Sequence, residues 1–183
     1  MKKQLSFLLI ALLIAVSPVV YAQDQASAAR IKAAYINQFS HFVQWPGSAG
    51  SLKNSLSICV LGVEDVSKEL QPLTQVADND FDVKLHVVSR LEKIDRCNML
   101  YIASSENGNL EAVLNYVNKK PILTISSIDD FASKGGMIGF VIAGNKVRLE
   151  INRGTVKKSG LRISARLLEV SKIIETEKNK ERK

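Results

Sequence analysis

The chain has 183 residues, 46% of them apolar and 23% charged, and its 25 basic and 18 acidic side chains give a net charge of +7. This is ordinary globular composition at a length that fits one domain, which excludes a disordered chain, a collagen-like repeat and a multi-span membrane protein. A core of this size closes without staples, so length alone does not require the two cysteines.

The chain opens as an export signal. Met1-Lys2-Lys3 is a positive start, and Leu5 to Val16 is an apolar run of 12 residues, shorter than the roughly 20 a spanning helix needs. Ser17-Pro18 breaks the run, and Val20-Tyr21-Ala22 supplies a cleavage site after Ala22. Residues 1–22 are therefore expected to be a signal peptide. Removing them leaves 161 residues with a net charge of +5, starting at Gln23 in the periplasm. No nucleic acid is expected there, and the scattered basic residues read as solvated surface.

Residues 26–43 carry Ile31, Ala34, Tyr35, Phe39, Phe42 and Val43 at helical spacing, and Trp45-Pro46-Gly47 ends that helix. Residues 48–55 form a polar loop. Leu56–Gly62 reads as a buried strand, Glu64–Gln71 as a short helix and residues 74–82 as a connection. Val83–Ser89 alternates like a half-exposed strand, with Val83, Leu85 and Val87 on its apolar face. Met99–Ala103 is a continuous apolar strand, Leu110–Lys119 an amphipathic helix and Pro121–Ser126 a further strand. Ser127 with Asp130 looks like a helix start before Phe131. Met137–Ala143 and Lys146–Ile151 flank the hairpin pair Gly144-Asn145. Asn152 is placed to cap a short helix, and Leu161–Ile174 to form a last one. Residues 23–174 thus read as one α/β domain. It has a mixed, mainly parallel sheet, helices on both faces and a C-terminal β-hairpin plus helices, followed by a polar tail at 175–183.

The chemistry is sparse. His41 and His86 are the only histidines, and there is no Gly-x-Ser-x-Gly elbow, no metal-ligand spacing and no glycine-rich phosphate loop between a strand and a helix. Asp129-Asp130 is explained by capping. No catalytic residue, metal or cofactor is assigned, and the chain reads as a binding protein rather than an enzyme. Cys59 in a strand and Cys97 just before one can close a disulfide or stay as two buried thiols, and the exporting compartment favours the bridge. Their separation disfavours a dithiol oxidoreductase, which uses Cys-x-x-Cys.

Several stretches resemble the YfiR family. They are Ala33 to Phe39 running into Phe42-Val43-Gln44-Trp45-Pro46, Ile58 to Gly62, Cys97 before Leu100-Tyr101-Ile102, Pro121 to Ile125 with Phe131, Gly135 to Ile138, Val147 to Asn152, and Gly160 to Leu168. Together they cover about residues 30–172. The resemblance implies a periplasmic α/β protein that represses an inner-membrane diguanylate cyclase through its periplasmic sensor domain, lowering cyclic-di-GMP and restraining biofilm. It also implies a homodimer, a second partner in an outer-membrane peptidoglycan-binding lipoprotein, and redox sensitivity through cysteines. Cys59 and Cys97 match one cysteine pair of the family's namesake, and the second pair is absent here. Phe42, Trp45, Arg162 and Arg166 are the candidate partner-contact residues. The alternative is a periplasmic ligand-binding domain feeding a sensor histidine kinase or other receptor.

Overall fold

The structure, a computed structural model, describes residues 17–47, 55–75, 82–144 and 146–175. The apolar run at 5–16 and most of the polar tail lie outside the described residues, and the expected cleavage point after Ala22 falls within the first described helix.

That helix, α1 (Ser17–Gln38), runs into a 3-10 turn (Phe39–His41) and the two-residue strand β1 (Val43–Gln44). The order continues β2 (Ser55–Leu61), α2 (Val66–Gln75), β3 (Asp82–Val88), a 3-10 turn (Leu91–Arg96), β4 (Met99–Ile102), a 3-10 turn (Ser104–Asn109), α3 (Leu110–Val117) and β5 (Leu123–Ser126). It ends with β6 (Ile138–Ala143), β7 (Lys146–Asn152), α4 (Arg153–Lys158), β8 (Arg162–Ile163), α5 (Ala165–Glu169) and β9 (Lys172–Ile174). Seven strands form one sheet in the order β3-β2-β4-β5-β6-β7-β9. The pairs from β3 to β6 are parallel, β6 and β7 are an antiparallel hairpin, and β9 lies parallel to β7.

β2 and β4 are apolar on both faces along their central residues because both faces are covered, while β5 turns the buried Thr124 and Ser126 to one face, where their hydroxyls are hydrogen-bonded. Ile58, Val60, Met99, Tyr101, Leu123 and Ile125 point to one cluster, which Ala29, Ala33, Ile36 and Phe39 of α1 and its 3-10 turn complete. Their neighbours Cys59, Leu61, Leu100 and Ile102 point to the other, closed by Val113 and Val117 of α3 and by Ile94. Period-two alternation thus sorts each strand between two cores. Each fully buried Leu or Ile contributes about 1.5–3 kcal/mol, so the two layers dominate the stability.

The structure departs from the sequence reading in five places. Residues 26–43 are not one helix: α1 ends at Gln38, Phe39–His41 is a 3-10 turn, and Val43 belongs to β1, where pairing with Ile163 outweighs the helical spacing. Residues 161–174 do not form one helix. β8 pairs with β1, matching Val43 to Ile163 and Gln44 to Arg162, Ser164 caps α5 by accepting from the Leu167 N–H, and Ile173 and Ile174 join the sheet beside β7. β7 is therefore covered on both sides rather than being an edge. No helix starts at Ser127; residues 129–135 turn instead, with Asp130 at φ +58° and the Phe131 ring lying where a Cβ on Gly136 would sit. On β3, Val87 is 69% exposed and Val88 is buried, the reverse of the simple alternation, because an edge strand beside a turn has no second layer above Val87. Finally, α2 starts at Val66 rather than Glu64 and continues past Gln71 to Gln75; Pro72 within it removes one backbone N–H and so one bond to the preceding turn.

Candidate functional site

Three constellations surround the parallel strands, and the sequence-based candidates divide among them.

The first lies where β2 and β4 enter the sheet. Cys59 sits mid-strand in β2, opposite His86 of β3 and Leu100 of β4. Cys97 ends the 3-10 turn before β4, its N–H bonded to the Ile94 carbonyl at 2.9 Å. The two are joined as a disulfide with Cα atoms 5.8 Å apart, within the range such a bond requires. The next residue, Asn98, was not singled out in the sequence. Its N–H donates to the Ser57 carbonyl at 2.8 Å, its side-chain oxygen accepts from the Ser57 N–H at 2.8 Å, and its carbonyl accepts from the Leu123 N–H at 2.9 Å and from Trp45 Nε1 at 3.3 Å. Trp45 is buried here, so it serves packing and this hydrogen bond rather than an outward contact.

The second constellation surrounds the β1–β8 pair. The Phe42 carbonyl accepts from the Ser164 N–H at 2.8 Å, and the half-buried Phe42 ring packs against the core that holds Leu161 and Leu167. Arg162 and Arg166 are exposed. The fold therefore brings Phe42, Arg162 and Arg166 to one corner with the two arginines exposed, and turns the adjacent Trp45 inward. Beside that corner runs an open groove of about 640 Å³, lined by apolar Leu161, Ile163 and Ile173 and by Arg153, Lys157 and Arg162. None of these three cations, nor Arg166, has an ion pair among the described residues. Among the described residues Glu175 is the one acid on the groove, so three cations against one carboxylate leave it net positive, which with the apolar floor suits a partner that offers both apolar side chains and negative charge.

The third constellation was missed in the sequence. It sits where β2, β4 and β5 leave the sheet, the edge at which open α/β sheets commonly hold ligands. Glu64 lies two residues beyond Gly62, at the exit of β2. One of its oxygens accepts from Tyr101 Oη at 2.7 Å and pairs with Lys32 of α1 at 3.4 Å; the other accepts from the Ser104 N–H at 3.1 Å and Ser104 Oγ at 3.0 Å. Tyr101 Oη also meets Ser127 Oγ at 3.0 Å. Burial first, and then the negative charge of Glu64, push the Tyr101 hydroxyl well above the usual tyrosine range, so it stays protonated and donates. Ser105 Oγ accepts from the Val63 N–H at 2.9 Å and would lie 2.6 Å from a Cβ on Gly62, which has φ +89°. The edge is thus closed by the chain's own side chains. A glycine followed by an acid at a strand exit was the available signal, but Tyr101 read only as one residue of an apolar run.

The described residues contain no cluster of three metal-ligating side chains. Among them no helix is long and apolar enough to cross a membrane.

These features define a single-domain α/β protein whose mostly parallel sheet is cross-linked at one end, sealed by polar contacts at the other, and flanked by a basic-rimmed groove. The chain belongs to the YfiR/HmsC-like family, whose sequence profile matches residues 29–172, from α1 through the first residue of β9. Among solved structures, a conserved domain protein from Vibrio cholerae O1 biovar El Tor shares the fold with a TM-score of 0.55 at 10% identity over 79% of this chain. This chain spans 59% of that protein's length. The ABC domain solved with L-Trp from Streptococcus pneumonia aligns more loosely, with a TM-score of 0.48 at 16% identity over 65% of this chain and 55% of its own, and bears on neither fold nor ligand.

Proposed function

We propose that this chain is a periplasmic repressor that binds the periplasmic sensor domain of an inner-membrane diguanylate cyclase and lowers cyclic-di-GMP. The observation that carries this reading is the family match over 29–172, which takes in nearly all of the described domain. Export through a signal peptide cut after Ala22 leaves that span intact and places it on the side of the membrane where such a sensor domain lies. The groove beside Arg162, with Arg166 nearby on α5, is the surface that fits an acidic and apolar partner, and the Phe42 carbonyl holds the start of α5 through the Ser164 N–H.

A repressor of this kind acts only through differential affinity. It must bind the inactive form of the cyclase more tightly than the active one, and a swing from mostly on to mostly off takes about 5.5 kcal/mol of that difference. A homodimer matches a two-fold target and doubles the contact. An outer-membrane peptidoglycan-binding lipoprotein that competes for the repressor would release the cyclase.

Deleting the gene raises cyclic-di-GMP and biofilm, and the rise disappears when the cyclase gene is deleted as well. Arg162→Glu with Arg166→Glu reproduces the deletion while leaving the protein folded and exported. If cyclic-di-GMP stays level in the deletion strain while the cyclase is expressed, the repressor role is wrong, and a ligand-binding domain serving a sensor kinase takes its place.

A further inference from the structure

The two sulfurs of the disulfide differ in their surroundings. Cys59 has no exposed surface and lies between β3 and β4 in the middle of the sheet. Cys97 is 4% exposed and forms part of the wall of an open cleft of about 470 Å³. Trp45, Pro46, Pro121 and Ile122 make the cleft's apolar sides, and Arg96 and Lys120 stand on it as cations. Lys120 is held by Asp95 at 2.7 Å, whereas Arg96 has no ion pair among the described residues. Among the described residues, the exposed part of the bridge therefore lies at Cys97, on the wall of this cleft and beside a cation with no ion pair.

We infer that thiol–disulfide exchange opens this bridge at Cys97 and not at Cys59, with the cleft receiving the attacking thiolate and Arg96 steering it. The thiolate of a small or peptide thiol attacks Cys97 Sγ and forms a mixed disulfide there. The Cys59–Cys97 bond breaks, its electron pair goes to Cys59 Sγ, and that thiolate takes a proton from solvent. A second thiolate then attacks the mixed disulfide at the reductant's sulfur and releases Cys97. In sum two external thiols become one disulfide, and the protein's cystine becomes two thiols.

Two effects oppose each other here. Burial disfavours a thiolate at Cys59, which makes Cys59 the poorer leaving group and would direct attack to Cys59 instead, so that Cys97 leaves. A difference of one or two pKa units between leaving groups changes such a rate by roughly tenfold. Exposing Cys59 requires parting central strands, which lowers the reactive population by at least about a thousandfold. Access therefore decides, and the leaving-group term makes exchange at Cys97 slow and readily reversed rather than redirecting it.

The test uses the oxidised protein and reduced glutathione in native buffer at low salt, with acid quenching and alkylation at early times, followed by peptide mapping. Glutathione is expected on Cys97, with the alkylating label on Cys59. Arg96→Glu slows the reaction with glutathione, whose thiolate form carries net negative charge, by roughly fivefold, and slows cysteamine, whose thiolate form is neutral overall, far less. Arg96→Lys restores most of the rate. Glutathione on Cys59, equal labelling of both cysteines, insensitivity to Arg96→Glu, or an adduct that forms only at the global unfolding rate overturns the inference. None of these readouts depends on a diguanylate cyclase, so the inference and the proposed function fail separately.

Discussion

β2 and β4 are tied together twice, by opposite means at their two ends. At the entry a covalent bond joins Cys59 to Cys97, with Asn98 knitting the backbones of β2 and β5 around it. At the exit Glu64 of the β2 loop is held by Tyr101 and Ser104 of β4 and its following turn, with Lys32 reaching in from α1. A disulfide acts largely by restricting the unfolded chain, so its contribution does not require polar partners to stay buried. The carboxylate cluster acts only in the folded state and depends most on its buried member, Tyr101, because a buried partner left unsatisfied costs more than the hydrogen bond contributed, whereas water can replace the exposed Ser104. The entry should therefore tolerate changes in pH and fail on reduction, whereas the exit should ignore reductants and respond to titration.

The largest effect comes from breaking the entry. Cys59→Ala with Cys97→Ala releases a loop of about 39 residues and lowers the unfolding free energy by roughly 3–4 kcal/mol in the chain-entropy picture. Urea unfolding of oxidised, reduced and double-variant protein measures it. The reduced protein and the variant should fall close together, and a loss below about 1 kcal/mol would show that the bridge is not a main support of β2 and β4.

How much of this was legible in the sequence depends on what kind of interaction built each part. The parallel core was readable because Ile58 to Leu61 and Met99 to Ile102 are continuous apolar runs, and Pro121 to Ser126 is a short, mostly apolar run bounded by turn residues. The Gly144-Asn145 pair announced the β6–β7 hairpin, and the Asn152 side chain does cap α4, accepting from the Thr155 N–H at 3.0 Å. Residues 161–174 misled because Ile163, Leu167 and Leu168 fit a helical stripe. What decided their structure was pairing with β1 and β7, more than 100 and about 20 residues away, which no local period contains. The candidate contacts divided for the same reason. Arg162 lies exposed beside a groove, but whether Trp45 faced a partner or the Asn98 carbonyl depended on a contact 53 residues distant. The Glu64 cluster draws on four separated segments, so no window of sequence displays it.

At the exit, Tyr101→Phe removes the hydroxyl shared by Glu64 and Ser127 and should cost about 1–2 kcal/mol at neutral pH. Its pH signature separates it from a plain packing defect. The folded-state pKa of Tyr101 is raised above the unfolded value, so the phenol's contribution is fully present below about pH 10. Above that, unfolded chains ionise while folded ones do not, and stability falls. The wild-type protein should therefore lose stability between pH 10 and 11 more steeply than Tyr101→Phe. Parallel curves for the two proteins would mean that the hydroxyl is not held protonated by burial and Glu64.

The smallest effect returns to the entry, on its surface. Asp95 accepts from Lys120 Nζ at 2.7 Å and Tyr116 Oη at 2.9 Å, linking the turn that ends in Cys97 to α3 and the residues just beyond it. Lys120 also lies 3.6 Å over the Tyr116 ring. The hydrogen bond from Lys120 first, and that from Tyr116 second, hold the Asp95 carboxyl below its ordinary value. A carboxyl with a depressed folded pKa stabilises fully above its unfolded value near 4, and that contribution fades as pH falls from there through the folded value. Because the group faces solvent, salt screens it and long side chains lose entropy in holding it, so Asp95→Asn should change neutral-pH stability only slightly. The informative readout is the slope. Wild-type protein should lose slightly more stability than Asp95→Asn between pH 4 and 2, and added salt should shrink the difference. If the difference survives high salt, the Asp95–Lys120 pair is shielded from solvent and belongs with the Glu64 cluster in kind. If it vanishes, the entry relies on its covalent bond and the Asn98 backbone contacts, and polar side chains govern stability only at the exit.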